Sequence, residues 1–413
     1  MRTHACLLIA LLTLGCAVGQ AVADAPRFAE VDQRALSAPA SVTSSPERLA
    51  AYLSQGISSE TDKARAVYRW ITDNIGYDTA SFFSGTHADE SAGGVLESRK
   101  GVCAGYSRLY ADIGRKMGLT VETVSGYAKG YGYAPGAVFT GTNHDWNAVL
   151  IDGVWRLMDC TWGAGHVGTD RRFVKEYTEF FFMAPPEKFI LSHLPEDPRW
   201  QLLDTPWTKE QFGEGVFVYP SAYSLGIDAR SHTKAVFTSS GRERLLFDAP
   251  GDVLAIASVD DNDNGALTQL VDGGFEVLCA FAGAGRHTLS IYATTRDSAS
   301  TTYSAVLKYT IDASQGIGES ADFPTSYNNY TRRKVTLVEP YSRILPAGSD
   351  VLFTLSIPDA VKVAVVTGGK WSYLPRQGDL FSGTVAVAPG KTSVCAQFPG
   401  RSGYEGILDY QAR

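Results

Sequence analysis

An Asp-Gly pair between two apolar runs constrains the fold of this chain more than any other feature. Asp152-Gly153 separates a run that begins at His144 from one that ends at Asp159, and such a pair is the strongest short-range signal for a β-hairpin. With a two-residue turn, Ile151 lies opposite Val154. His144 and Asp159 then share one face as diagonal neighbours, within reach of each other. A turn with an odd number of residues would put them on opposite faces.

The same register predicts Thr161 opposite His144, and Trp146 opposite Asp159. A carboxylate that touches an imidazole fixes its tautomer and stabilises the imidazolium. Taken singly, a histidine at a strand start is usually a surface residue, and an aspartate at a strand end usually forms a turn. The shared face favours the catalytic interpretation, in which Asp159 orients His144 as a general base.

A helix that begins at a cysteine supplies a candidate nucleophile for this base. Apolar residues recur at helical spacing after Cys103, and Gly118 ends the pattern. Cys103 therefore lies in the first turn, where free N–H groups and the helix dipole favour the thiolate and could hold an oxyanion. The competing interpretation is a small buried hydrophobic residue. The small residues Gly101, Ala104 and Gly105 favour the first interpretation, because they leave room for a substrate backbone.

Three separated motifs resemble the transglutaminase-like superfamily. They are residues 101–106 (GVCAGY), 144–147 (HDWN) and 159–163 (DCTWG). Residues 181–189 (FFMAPPEKF) and 193–197 (HLPED) resemble the kyphoscoliosis peptidase-type branch. The resemblance covers roughly residues 58–215.

This resemblance implies an α+β papain-like fold and acyl transfer through a thioester. Cys103 would attack an amide, His144 would take the thiol proton and later protonate the leaving amine, and Asp159 would orient His144. The acyl group would then pass to water, as in a protease or amidase, or to an amine, as in a transglutaminase.

Aromatic residues near this triad are candidates for substrate binding. We predict that Trp146, Trp162 and Tyr106 contact the substrate, with core packing of the two tryptophans as the alternative. Cys160 follows Asp159 on the predicted strand, so its side chain points to the opposite face, and it is expected to be a buried structural thiol. The other histidines, including His193, have no catalytic context.

The first residues are typical of an export signal. Arg2, an apolar run over residues 5–14 and Ala21-Val22-Ala23 predict cleavage after Ala23, giving a periplasmic or secreted protein. The alternative is a lipoprotein anchored through Cys16. Residues 24–58 are rich in Ala, Ser and Pro and are predicted to be a linker or N-terminal arm, followed by the core at 59–214. No stretch is apolar enough for a transmembrane helix.

The second half of the chain is predicted to form two β-sandwich, immunoglobulin-like modules, residues 215–318 and 319–413. Similar segments place Pro220 and Pro340 at an offset of 120 residues (340 − 220), and Cys279 and Cys395 at 116 (395 − 279). Each cysteine then lies in its own module, and buried free thiols are expected rather than a disulfide.

A formal net charge of -7 argues against a nucleic-acid partner, because no basic surplus neutralises phosphates. No Cys/His cluster has zinc spacing. Asp260, Asn262 and Asn264 match the first half of an EF-hand loop, but position twelve is Val271. Turn-forming residues explain this loop equally well, so no cofactor or metal is expected.

Three functional hypotheses follow. The first is an exported cysteine-nucleophile enzyme that transfers acyl groups from amide bonds of a protein or peptide. The second is a catalytically idle scaffold that works through its β modules. The third is a wall- or glycan-associated protein whose core processes cell-wall peptide crosslinks.

Overall fold

The computed structural model describes residues 27–86, 89–298 and 302–413. The predicted export signal, residues 1–23, and its Cys16 alternative lie outside this range. The described chain consists of an α+β core followed by two β-sandwiches, as the sequence predicted. Among the described residues, no helix is both long enough and apolar enough to cross a membrane.

Helices form one half of the core, with two short parallel strands between them. In chain order they are α1 (Ala29–Leu36), α2 (Pro46–Leu53), α3 (Glu60–Asn74), β1 (Gly76–Tyr77), α4 (Thr79–Ser84), α5 (Ala92–Ser98), β2 (Lys100–Gly101) and α6 (Cys103–Lys116). Ser59 caps α3 by accepting a hydrogen bond from Asp62 N. Ala64, Val67 and Ile71 form the apolar face of α3 and are fully buried.

The prediction of a loose arm is wrong for residues 29–53, because these residues form α1 and α2. Phe28, Leu49 and Leu53 are buried in the hydrophobic cluster of the α+β core. Asp32 of α1 accepts two hydrogen bonds at 2.7 Å from the buried guanidinium of Arg65 on α3. The Ala- and Ser-rich composition concealed these helices, since each of them buries only a few apolar residues.

A mixed set of short strands and helices forms the other half of the core. Its elements are β3 (Thr120–Ala128), β4 (His144–Ile151), β5 (Val154–Met158), α7 (Cys160–Ala164), β6 (Gly165–Val167), β7 (Phe173–Lys175), β8 (Phe182–Ala184), α8 (Pro186–Phe189), β9 (His193–Pro195) and α9 (Lys209–Glu214). Five of the strands form one sheet in the order β8-β5-β4-β3-β9. Helix α6 packs against β3 and β4 of this sheet, so the buried residues of both halves form one core.

The first sandwich contains β10 (Phe217–Val218), α10 (Pro220–Ser224), β11 (Asp228–Ala229), β12 (Val236–Ser239), β13 (Arg242–Asp248), β14 (Val253–Val259), β15 (Ala266–Val271), β16 (Gly274–Ala280), β17 (Gly285–Thr295) and β18 (Ser304–Ala313). One sheet has the order β10-β18-β17-β14, with β12 also on β18, and the other has the order β11-β13-β16-β15. Apolar residues of both sheets form one buried cluster.

The second sandwich contains β19 (Thr325–Ser326), α11 (Asn328–Arg332), β20 (Thr336–Glu339), β21 (Ile344–Leu345), β22 (Asp350–Ser356), β23 (Lys362–Thr367), β24 (Lys370–Tyr373), β25 (Arg376–Gln377), β26 (Leu380–Ala386), β27 (Gly390–Gln397) and β28 (Glu405–Ala412). Its sheets have the orders β19-β28-β27-β23-β24, with β21 on β28, and β20-β22-β26-β25. They enclose a separate buried cluster.

The two sandwiches share a topology, but the predicted alignment between them is wrong. The equivalent strands β13 and β22 begin at Arg242 and Asp350, an offset of 108 residues (350 − 242). Cys279 lies on β16 and Cys395 on β27, which are different positions in the fold. Short alternating motifs recur on many strands, so two local similarities do not define the register of a repeat. Both thiols are free, and only Cys279 is fully buried.

The loop considered for calcium joins β14 and β15, so strands rather than helices flank it. Asp260 accepts hydrogen bonds from His287 Nδ1 at 2.6 Å and from Thr288 N at 2.8 Å. Asn262 donates to Asp322 at 2.9 Å. These side chains therefore hold loops of the sandwich together, and the expectation that this loop binds no calcium stays a prediction.

Candidate active site

Cys103 is the first residue of α6, as the sequence predicted. Val102 precedes it in an extended conformation, and in the described chain no side chain caps this helix start. The first N–H groups of a helix have no intrahelical partner. The half-buried thiol of Cys103 therefore lies beside backbone donors that can stabilise negative charge.

Two of the small residues around Cys103 allow close packing. A Cβ atom on Gly105 would lie 2.8 Å from Val95 Cγ2, and one on Gly101 would lie 3.3 Å from the same atom. Both glycines thus allow α5 to approach the start of α6. That Gly101, Ala104 and Gly105 leave room for a substrate backbone stays a prediction.

The hairpin that carries the candidate base has the predicted register. Ile151 pairs with Val154, and the pairing continues to Asn147 and Met158. Asp152 and Gly153 have φ angles of 50° and 79°, as a type I′ turn requires at both central residues.

The strand ends one residue before Asp159, which was not predicted. Asp159 caps α7, and its Oδ1 accepts hydrogen bonds from Thr161 N at 2.7 Å and Trp162 N at 3.0 Å. Thr161 and Cys160 therefore lie on a helix, so the predicted pair of Thr161 and His144 does not form. Cys160 is nevertheless buried, as expected.

The second oxygen of Asp159 joins two histidines. Oδ2 lies 2.7 Å from His144 Nε2 and 3.0 Å from His193 Nε2. Asp159 and His193 have no exposed surface, and His144 is 7% exposed. With both oxygens engaged twice, the carboxylate is fixed in position and kept in its ionised form.

The charges in this cluster follow from burial and mutual contact. Burial alone would lower the pKa of His144, but the charge and hydrogen bond of Asp159, together with the Cys103 thiol, raise it to about 10. Burial would raise the pKa of Asp159, yet the two histidines hold it far below its usual range. His144 is therefore an imidazolium paired with a carboxylate, and its ring also faces the thiol.

His193 is the site residue that the sequence reasoning missed. Burial lowers the pKa of His193 to about 4 despite its hydrogen bond to Asp159, so the ring is neutral near pH 7. An ionised carboxylate can only accept, so the neutral ring donates from Nε2 to Asp159, and Nδ1 accepts from Ser192 Oγ at 2.8 Å. The motif at residues 193–197 was recognised, but no local pattern indicates that β9 lies beside β3.

Comparison with known proteins gives the family of the core. Residues 47–160 match the transglutaminase-like superfamily, and residues 209–324 match the KY-like, immunoglobulin-like domain. The core is transglutaminase-like. The predicted family resemblance and fold class are thereby confirmed.

Named relatives are only partly covered by this chain. Mouse kyphoscoliosis peptidase is 32% identical over 65% of this chain and 41% of its own length. The Lim and transglutaminase domain protein ltd-1 of Caenorhabditis elegans is 33% identical over 46% of this chain and 28% of its own length. A solved structure described as a TGase matches 33% of each chain at 24% identity with a TM-score of 0.22. The chain thus spans less than half the length of these curated relatives.

The predicted substrate-binding aromatics of the transglutaminase-like core have different environments. Trp146 is 1% exposed and packs against His193 and Phe189, as the core alternative predicted. Tyr106 is also 1% exposed and donates its hydroxyl to Ile75 O at 2.8 Å, so its predicted substrate contact is wrong. Trp162 is half-buried, and its ring centroid lies 5.8 Å from that of His144. It can still border the substrate.

The triad region of this core also contains a set of three potential metal ligands. One ligand atom each of His144, Asp159 and His193 lies within 4.8 Å of the others. The two contacts to Asp159 Oδ2 are ordinary hydrogen-bond distances, and an imidazolium at His144 cannot coordinate a cation. Hydrogen bonding therefore accounts for this cluster without a metal.

Proposed function

We propose that this chain is an exported cysteine-nucleophile enzyme that transfers acyl groups from amide bonds through a thioester. The observation that carries the proposal is the bridge from Asp159 to His144, whose ring also faces the thiol at the start of α6. A buried carboxylate, a charged imidazole and a thiol in this order favour the thiolate–imidazolium pair.

In the first step, Cys103 Sγ forms a bond to the amide carbonyl carbon, and the carbonyl π electrons move to oxygen. The N–H groups of the first turn of α6 stabilise this oxyanion. The C–N bond then breaks as His144 gives its proton to the leaving nitrogen, and a thioester and a free amine result.

In the second step, water or a second amine attacks the thioester. His144 takes one proton from this nucleophile, the C–S bond breaks, and the thiolate–imidazolium pair is restored. Water gives a carboxylic acid, and an amine gives a new amide. Asp159 remains ionised in both steps and holds the imidazole in the orientation that faces sulfur.

His193 is a positioning residue in this scheme. It contacts neither sulfur nor the reacting amide, but it donates a hydrogen bond to the same Oδ2 that His144 contacts. It therefore limits rotation of the Asp159 carboxylate away from His144. The substrates we propose are protein or peptide amides, with cell-wall peptides among them, in the compartment reached through the predicted export signal.

Alkylation and product analysis test this function together. We expect iodoacetamide to modify Cys103 faster at pH 7 than it modifies glutathione. Mixed peptides are incubated with and without the amine monodansylcadaverine. Mass spectrometry should then detect hydrolysed or amine-linked products. Cys103→Ala should abolish both products, and Cys395→Ala, which removes another half-buried thiol, should abolish neither. Slow alkylation without products would support the idle-scaffold alternative instead, and products that persist in Cys103→Ala would exclude Cys103 as the nucleophile.

A further inference from the structure

An exposed group of aromatic rings lies beside the candidate nucleophile. Tyr77, Phe82, Phe83 and Tyr131 form this group, which we call the aromatic platform. Phe82, Phe83 and Tyr131 are 42%, 37% and 46% exposed. Large apolar side chains in such a cluster, rather than scattered singly, indicate a binding surface.

The platform is continuous with the site through Tyr77. Tyr77 pairs with Gly101 in the β1–β2 ladder, two residues before Cys103. Burial and the Cys103 charge raise the pKa of its phenol, which agrees with this proximity. The Tyr77 ring lies 5.7 Å from Phe82, so the aromatic surface begins at the nucleophile.

Both halves of the core contribute rings to the platform. Phe82 and Phe83 belong to α4 in the helical half, and Tyr131 belongs to the loop between β3 and β4 in the sheet half. The centroid of Tyr131 lies 5.2 Å from Phe83 and 6.4 Å from Phe82. The interplanar angles of these two pairs are 80° and 90°, so the rings form a corner rather than a flat plate. A corner of this kind fits one bulky side chain.

The loop that carries Tyr131 is held in place by buried contacts. Lys129 is 1% exposed and donates to Gly215 O at 2.8 Å. Tyr133 stacks on Phe139 with centroids 5.4 Å apart. A Cβ atom on Gly130 would lie 3.5 Å from the Trp162 ring, which in turn borders His144. A loop fixed on both sides of Tyr131 loses little entropy when a ligand binds.

Charges of both signs lie near the platform. The carboxylates of Asp78 and Glu90 act on Tyr77 after Cys103 and Asp159, and the Arg171 guanidinium lies 5.1 Å from the Phe83 ring centroid. These charges favour no single ligand charge, so the aromatic rings themselves favour an apolar or aromatic side chain.

We propose that the aromatic platform binds one bulky apolar or aromatic side chain of a polypeptide substrate, close to the amide presented to Cys103. This inference rests on the proposed acyl-transfer function and adds a substrate class to it: peptides with a large apolar residue near the reacting amide. The occupant is the substrate polypeptide itself, because the surface begins at the residue that would carry the acyl group.

A binding measurement tests the platform without requiring turnover. The full chain with Cys103→Ala is titrated with six-residue Gly/Ala peptides that carry one Phe at each position in turn, and with the parent peptide that lacks Phe. We expect at least one Phe peptide to bind about 10-fold or more tightly than the parent, a discrimination typical of one apolar side chain. Adding Phe82→Ala or Tyr131→Ala should reduce this ratio to less than about 3-fold.

The matched control is Val138→Ala, which removes an apolar side chain that is 88% exposed on the same loop. It should leave the ratio unchanged. Equal binding of all peptides, or a preference that survives both platform variants, would overturn the proposal.

Alkylation by iodoacetamide separates this result from the proposed function. This small reagent needs no platform, so its rate on Cys103 should be the same in the wild type, Phe82→Ala and Tyr131→Ala. A slow rate in the wild type contradicts the enzyme, whereas lost peptide preference at a normal rate contradicts only the platform.

Discussion

Replacement of Asp159 by Asn tests the electrostatic basis of the proposed site. Asn keeps the size of the side chain, and its oxygen can still accept from Thr161 N and Trp162 N, which cap α7. The remaining amide group then faces His144 Nε2 as a donor. This moves the imidazole proton to the nitrogen that faces Cys103, so the ring can no longer act as a base there.

The magnitude follows from the pKa of His144. The carboxylate and the thiol raise it from an ordinary value of about 6.5 to about 10, against the effect of burial. In Asp159→Asn the burial remains and the carboxylate charge is lost. We therefore expect the midpoint to fall to about 6.5 or below, a change of at least 3 units worth roughly 4 kcal/mol. At pH 7.5 the imidazolium would fall from nearly all molecules to about a tenth, and activity should drop about 100-fold or more.

Histidine NMR measures this change without a known substrate. The Cε1–H resonance of His144, assigned by loss in His144→Gln, should titrate near pH 10 in the wild type and at least 3 units lower in Asp159→Asn. The matched control is Asp145→Asn, since Asp145 is on the same strand but hydrogen-bonds Ser125. A wild-type midpoint between 6 and 7, or no difference between wild type and Asp159→Asn, would refute the reasoning.

Three further changes test the surroundings of the site. His193 is held neutral with a pKa of about 4, below its unfolded value of about 6.5. The folded state therefore binds fewer protons than the unfolded state, and stability falls as the pH drops from 6.5 to 4. In urea unfolding at pH 7 and 4, His193→Gln should remove about 3 kcal/mol of this loss, and an unchanged dependence of stability on pH would contradict the prediction. Arg65→Met should destabilise the protein by about 3–5 kcal/mol in urea unfolding, because it leaves the Asp32 and Glu179 carboxylates without their buried partner. The control is Arg69→Met, whose ion pairs have longer contacts of 3.8–3.9 Å and whose loss should cost less than about 1 kcal/mol. Equal losses of stability in the two variants would exclude the buried ion pair as the cause. Gly163→Ala puts a Cβ atom 2.1 Å from the Tyr68 hydroxyl and should lower stability by about 1–3 kcal/mol. It should also slow alkylation of Cys103, because α7 carries Asp159 at its start. A normal alkylation rate would show that the position of Asp159 does not depend on this packing.

Elements set by nearby residues were predictable from the sequence. The start of α6 at Cys103 and the type I′ turn at Asp152-Gly153 both agree with the structure. Each depends on signals within a few residues, namely apolar spacing and residues that accept positive φ. The hairpin register that brings Asp159 toward His144 depends on the same local signals.

Features that depend on distant packing were missed or wrong. The helices α1 and α2 are short and Ala-rich, and they are stable because they pack on α3 and supply Asp32 to Arg65. Tyr106 was expected to meet a substrate, yet its helix turns it into the core. The two sandwiches repeat with a different offset from the one predicted, because strand order in three dimensions, not short motifs, defines equivalence.

Local sequence signals were sufficient to place a thiol at the start of a helix and to bring a histidine and an aspartate together across a tight hairpin. These are consequences of helix periodicity and turn chemistry. The position of β9 beside β3, which brings His193 to Asp159, follows from the folded core and not from any local signal. The same holds for the exposed aromatic corner that α4 and the β3–β4 loop form next to Cys103. Both depend on contacts between segments tens of residues apart, which form only when the whole core is buried together.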